Sequence, residues 1–151
     1  MALHDYVYQL RQVELFQALS MEAVRLIAFS AEARILRVGD VLFHEGEAAG
    51  EGYVVLSGVL ALTHSGAPDS DVQLAGPGSL VGEMALLAAT ERPATAIARE
   101  ATGVLRIPRT LFHRVLQEFP ECAVRMRAEL AARTLRMSVT LDAFGNRFGS
   151  G

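Results

Sequence analysis

Apolar and polar positions along this chain fall into three successive textures. Up to about Ala33 the spacing is helical: Leu10, Val13, Leu15 and Phe16 form one stripe, and Val24, Leu26, Ile27 and Phe29 a second. Ser20, with Glu22 close behind, is placed to cap the second helix, and 15–20 reads as the junction between the two. From about Arg34 to Pro108 the pattern breaks into short runs rich in Val, Leu and Ile, at 35–38, 41–44, 53–56, 59–64, 72–74, 95–98 and 103–107. Glycine turns punctuate them. Many short strands at regular intervals predict an antiparallel sandwich or jelly-roll barrel, and most gaps are too short for the crossover helix of a βαβ unit. One run departs from this: Glu83-Met84-Ala85-Leu86-Leu87-Ala88-Ala89, strong helix formers directly after Gly82, predicts a short helix inside the barrel. From Arg109 to about Phe144 helical spacing returns. Leu111, Val115 and Phe119 mark one face, Pro120 breaks or restarts the helix, and Ala123, Met126, Leu130, Met137, Leu141 and Phe144 line the next.

The expected class is therefore α+β, mainly β: a double-stranded β-helix or jelly-roll barrel with flanking N- and C-terminal helices. The divisions are 1–33 for the first helices, 34–108 for the barrel, 109–145 for the last helices and 146–151 for a tail of linker-like composition. A chain of 151 residues has room for one such domain, and 51% hydrophobic residues can fill its core. The net charge of −3 argues against a general polyanion binder, so any phosphate recognition must be focal. Cys122 is the single cysteine, which leaves no intrachain disulfide and no CxxC pair; it reads as a packing residue. The N-terminus lacks a signal-peptide pattern and no apolar run is long enough to span a bilayer, so the expected location is the cytoplasm.

Chemistry concentrates in segment 82–96. Gly82 opens a helix, lets the backbone approach a ligand, and leaves N–H groups free to meet an anion. Glu83 is an acceptor-only group suited to a sugar hydroxyl. Arg92 lies just past the helix, and its planar fork suits two phosphate oxygens. One acceptor, one guanidinium and a ring of N–H donors together describe a ribose phosphate. The bland alternative is that Glu83 and Arg92 simply pair with each other.

Gly82-Glu83-Met84-Ala85-Leu86, then Arg92-Pro93-Ala94-Thr95, resembles the phosphate-binding cassette of the cyclic-nucleotide-binding domain family, which includes catabolite activator proteins, kinase regulatory subunits and nucleotide-gated channels. The resemblance extends to Gly39-Asp40, Phe43, Glu45-Gly46, Tyr53-Val54-Val55-Leu56-Ser57-Gly58 and the flanking helices, nearly the full chain. It implies that Glu83 binds the ribose 2′-hydroxyl and Arg92 the cyclic phosphate. Gly82, Met84 and Ala85 then offer backbone groups, with Pro93 and Ala94 beside the phosphate. It also implies a residue of the C-terminal helix stacking on the base. Arg133 is the candidate and Arg136 the runner-up, a solvated arginine being the alternative. Two positions depart from the family pattern. Glu91 stands where proline is frequent, and Pro93 stands where a hydroxyl residue favours guanine or adds a phosphate contact. Proline offers neither hydroxyl nor N–H, so cAMP is favoured over cGMP; the nearest hydroxyl is that of Thr95, which falls in a strand run. The expected ligand is a cyclic nucleotide; no cofactor, catalysis or metal is expected.

Competing readings are a cupin-type metal site at His44, Glu45 and His64, which lacks a proper ligand spacing, and a degenerate domain kept as a protein-interaction module. An effector-domain fragment of a catabolite activator-type regulator is another; no DNA-binding module is expected within these residues. The side carrying Met126, Leu130, Met137 and Leu141 is either a homodimer seam or packs on the barrel.

Overall fold

The computed structural model describes residues 3–133. α1 (Leu3–Gln12), a 3-10 turn (Glu14–Ala18) and α2 (Met21–Ser30) open the chain. Ser20 caps α2 as expected, its hydroxyl accepting the Ala23 N–H at 3.2 Å. The buried face of α2 is Ala23, Val24, Ile27 and Ala28. Phe29, expected in that stripe, is 79% exposed. It lies two residues past Ile27, about 200° around the helix, so geometry overrides its apolar character.

The strands are β1 (Glu32–Leu36), β2 (Val41–Phe43), β3 (Ala48–Ala49), β4 (Glu51–Ser57), β5 (Leu60–Thr63), β6 (Gln73–Ala75), β7 (Leu80–Val81), β8 (Thr90–Glu91), β9 (Thr95–Ala98) and β10 (Thr102–Pro108). They form two four-stranded sheets, ordered β1-β10-β4-β7 and β2-β9-β5-β6, and a ribbon β3-β8. Every pair is antiparallel. This interleaved order is a jelly roll with flanking helices. β1 begins at Glu32, and Arg37 and Val38, expected in that strand, belong to the following turn. The Asp40 carboxylate takes the Arg37 N–H at 2.8 Å and pulls the chain out of the ladder.

Side-chain alternation on β4 divides the core. Val54 and Leu56 face the helices with Leu105, Ile107, Phe16 and Phe112, while Tyr53 and Val55 face the second sheet with Phe43, Leu60 and Ala96. The layers therefore run helices, first sheet, second sheet. α3 (Glu83–Leu87) is the expected short helix between β7 and β8. α4 (Arg109–Glu118) is followed, after Phe119, by α5, helical over 120–133 from Pro120 onward. Met126 is buried and Leu130 packs against the same core, so this part of the suggested dimer seam faces inward. Met137, Leu141, Phe144, Arg136 and the tail 146–151 lie outside the described residues. Cys122 is buried where α5 meets α2; its sulfur accepts the Ser20 N–H at 3.3 Å and Arg125 Nη2 at 3.4 Å. Among the described residues no helix is long and apolar enough to cross a membrane.

Candidate functional site

Gly82 adopts φ +80° and ψ +36° as it ends β7 and starts α3, a left-handed conformation that costs an L-residue roughly 1–2 kcal/mol. Its missing side chain matters as much as its backbone. A Cβ there would lie 2.5 Å from Arg92 Nη1, so the glycine is what lets the guanidinium come up beneath the helix start.

Arg92 is held from several directions. Its main chain continues the β3-β8 ribbon: the Gly46 N–H donates to Arg92 O and the Arg92 N–H to Glu47 O, each at 2.8 Å. Its side chain is 3% exposed. The guanidinium carbon stands 4.2 Å from the Phe43 ring centroid and 5.7 Å from that of Tyr53, a cation–π arrangement. Glu51 Oε1 is 3.7 Å from Nη2. The Tyr53 hydroxyl in turn donates to Glu51 Oε1 at 2.9 Å, and Arg106 Nη2 lies 3.8 Å from Glu51 Oε2. Nη1 alone of this fork is buried with no hydrogen-bond acceptor among the described residues. Burial pulls the Arg92 guanidinium below its ordinary value, opposed by the negative field of Glu51, Tyr53 and Glu47. Burial and the Glu51 hydrogen bond raise Tyr53.

Glu83 and Arg92 do not pair with each other. Glu83 Oε1 instead accepts Arg133 Nη1 at 2.8 Å. Arg133 also stands 3.4 Å from Glu14 and 3.6 Å from Glu129. The residue expected to stack on a base is thus, in this structure, the clasp between α5, the N-terminal turn and the first residue of α3. Arg109 Nη1 donates to Ala85 O at 3.4 Å and Ala49 O at 3.3 Å, so α4 also grips α3. Ala85 and Ala94 are buried, whereas Met84 and Pro93 are exposed. The Thr95 hydroxyl accepts the Glu45 N–H at 2.9 Å.

The suggested metal ligands do not converge. His44 Nδ1 meets Glu47 Oε1 at 2.7 Å, and Glu45 Oε2 takes the Ser65 N–H at 2.8 Å. The His44 backbone N–H also donates to Glu47 Oε1 at 2.7 Å, and this bond and the Ser65 N–H lower the Glu47 and Glu45 carboxyls, respectively, below their ordinary range. Sequence reasoning missed Glu51 and Arg109 as parts of the site, and gave Phe43 and Tyr53 no role there. The register Pro108↔Glu51 and Arg106↔Tyr53 brings the Glu51 group together, and no local motif signals it.

The chain is 35% identical over 130 residues to the cyclic AMP receptor protein of Thermus thermophilus, covering 85% of this chain. It spans 60% of that receptor's length. A cyclic nucleotide-binding-like protein from Brucella abortus shares its fold with a TM-score of 0.66 and 40% identity, covering 75% of this chain and 98% of that one. The N-terminal domain of a transcriptional regulator from Streptomyces coelicolor superimposes with a TM-score of 0.78 at 30% identity, covering 88% and 94%. Residues 33–119, which contain the whole Gly82–Arg92 constellation, match the family model described as the cyclic nucleotide-binding domain, and the chain belongs to that family.

Proposed function

We propose that this domain is a non-enzymatic cytoplasmic sensor that binds a cyclic nucleotide at segment 82–96, cAMP in preference to cGMP. The observation that carries this reading is the buried Arg92 fork, whose Nη1 lacks an acceptor and lies under a glycine that admits no side chain. A phosphate oxygen satisfies that donor and offsets the burial of the charge. Gly82, Met84 and Ala85 supply backbone groups around the phosphate, with Pro93 and Ala94 beside it. The preference for cAMP is supported by Pro93, which has no donor, and by Thr95, whose hydroxyl is engaged by Glu45. Glu83 takes the ribose 2′-hydroxyl, for which it exchanges its bond to Arg133. Arg133, so released, is free to turn toward the base, and α4 and α5 shift with it. The ligand moves that equilibrium by its differential affinity for the two positions.

A second reading, the effector portion of a longer regulator, is favoured by the likeness to the Streptomyces regulator's N-terminal domain. Titration calorimetry with cAMP and cGMP tests the binding claim that both readings share. The expected result is sub-millimolar binding, tighter for cAMP. A charge-assisted hydrogen bond is worth about 1.5–3 kcal/mol, so Arg92→Ala weakens it by roughly tenfold or more. Binding of neither nucleotide, or unchanged affinity in Arg92→Ala, refutes the assignment.

A further inference from the structure

A carboxylate stands in the wall of the proposed phosphate site, where its charge works against an anion. The strand register puts it there. Glu32↔Arg106 and Arg106↔Tyr53 are directly opposed, so these side chains form one row across the first sheet. Tyr53 shows that the row faces the second sheet, and Glu51, two residues before it on β4, shares that face. Both carboxylate oxygens of Glu51 are held. The Tyr53 hydroxyl donates to Oε1 at 2.9 Å, and Arg106 Nη2 stands 3.8 Å from Oε2.

Charges alternate along this row. Arg92 Nη2 is 3.7 Å from Glu51, and Arg106 Nη1 is 3.9 Å from Glu32 Oε2. Glu51 thus offsets Arg92, and Glu32 offsets Arg106. Arg34, 3.5 Å from Glu32 at the outer end, is half exposed and screened by water. Glu47 adds negative field at Arg92. Arg109 is engaged by the Ala49 and Ala85 carbonyls, and Arg133 by Glu83, Glu14 and Glu129. Among the described residues, the Arg92 fork therefore offers a free donor with little surplus positive charge.

That combination separates two kinds of phosphate. A hydrogen bond from Nη1 serves one oxygen of either kind, whereas repulsion from Glu51 grows with the charge of the ligand. A cyclic phosphodiester carries one negative charge; a phosphate monoester carries about 1.5 to 2 near neutral pH. Groups on the two ends of one guanidinium lie about 7 Å apart, where one further unit of charge beside a carboxylate is disfavoured more than about tenfold at an effective dielectric of about 20. We infer that Glu51 is a specificity-determining residue that makes this site accept a singly charged phosphodiester and penalise a doubly charged monoester. The inference rests on the nucleotide-binding reading of the same site.

Competition against labelled cAMP near neutral pH tests it with three ligands: cAMP, 5′-AMP, and the methyl ester of 5′-AMP, an open-chain diester of single charge. Glu51→Gln keeps the size and the acceptor for Tyr53 but removes the charge. It raises the affinity for 5′-AMP at least about tenfold relative to both diesters, whose own ratio stays within about threefold of wild type. Arg106→Gln removes the cation opposite Glu51 and shifts the balance the other way, about threefold against 5′-AMP. Circular dichroism confirms folding, and should Glu51→Gln not fold, the direction of the Arg106→Gln shift decides. A carboxylate that only holds Arg92 in place changes all three ligands alike. A monoester-to-diester ratio left unchanged by Glu51→Gln, or a rise for 5′-AMP in Arg106→Gln, overturns the charge selection while the nucleotide reading stands. A wild type that binds none of the three overturns both.

Discussion

Two glycines with nearly the same backbone carry different obligations. Gly58 has φ +79° and Gly82 φ +80°. A Cβ at Gly58 would collide with Ala101 O and sit 2.7 Å from Thr102 Cα, main-chain atoms at and just before the start of β10. At Gly82 the obstruction is the far end of the Arg92 side chain. Gly58→Ala is therefore expected to cost several kcal/mol, more than the roughly 1–3 kcal/mol of backbone strain alone. Gly82→Ala is expected to cost near the lower end of that range, yet to lose at least about tenfold in nucleotide affinity as the guanidinium is pushed aside. Thermal melts and calorimetry on both variants check this; wild-type affinity in Gly82→Ala would mean that Arg92 has no role at that position. Gly82 was legible in the sequence because a lone glycine before a helix-forming run is a local signal. Glu51 was not, since its importance arises only when β4 pairs with β10 and Tyr53 and Arg106 close around it.

An isolated five-residue helix is far below the length that is stable in water, so α3 stands on its surroundings. Leu86 and Ala85 are buried, Arg109 from α4 donates to the Ala85 carbonyl, and Arg133 from α5 holds Glu83. A ligand that takes Glu83 acts directly on α5. Hydrogen–deuterium exchange should show altered protection within 120–133 when cAMP is added to the wild type. In Arg133→Ala that nucleotide-dependent change should be largely lost, even where binding persists. A ligand response in α5 that is identical in both proteins removes Arg133 from the coupling. Ser20, Pro120 and the strand runs marked most elements in the sequence. β3, β7 and β8 left no trace, because two-residue strands exist through their partners rather than through any periodicity of their own. The Arg133–Glu83 contact joins residues fifty apart, and packing of α5 against the first helices sets it.

Stability of the whole molecule should depend on pH through groups near the proposed site. Glu45 and Glu47 have carboxyls lowered from an ordinary 4.5 by backbone N–H donors. A depressed carboxyl contributes stability above its unfolded value, and that contribution is lost as pH falls through the folded one. Tyr53 is raised from 10.0 by burial and by Glu51. Its contribution is complete below the unfolded value and is lost as pH rises through the folded one. Denaturant midpoints should therefore be level between about pH 6 and 9, and fall on either side. Glu45→Gln/Glu47→Gln should flatten the acid limb and Tyr53→Phe the alkaline limb; slopes unchanged by these substitutions would assign the dependence to other groups. The acid limb has a local consequence as well. The 44–47 turn braced by Glu47 also holds the main chain of Arg92 through Gly46 and Glu47. Protonation loosens that turn before the core opens, so nucleotide affinity should decline at a higher pH than the unfolding midpoint does.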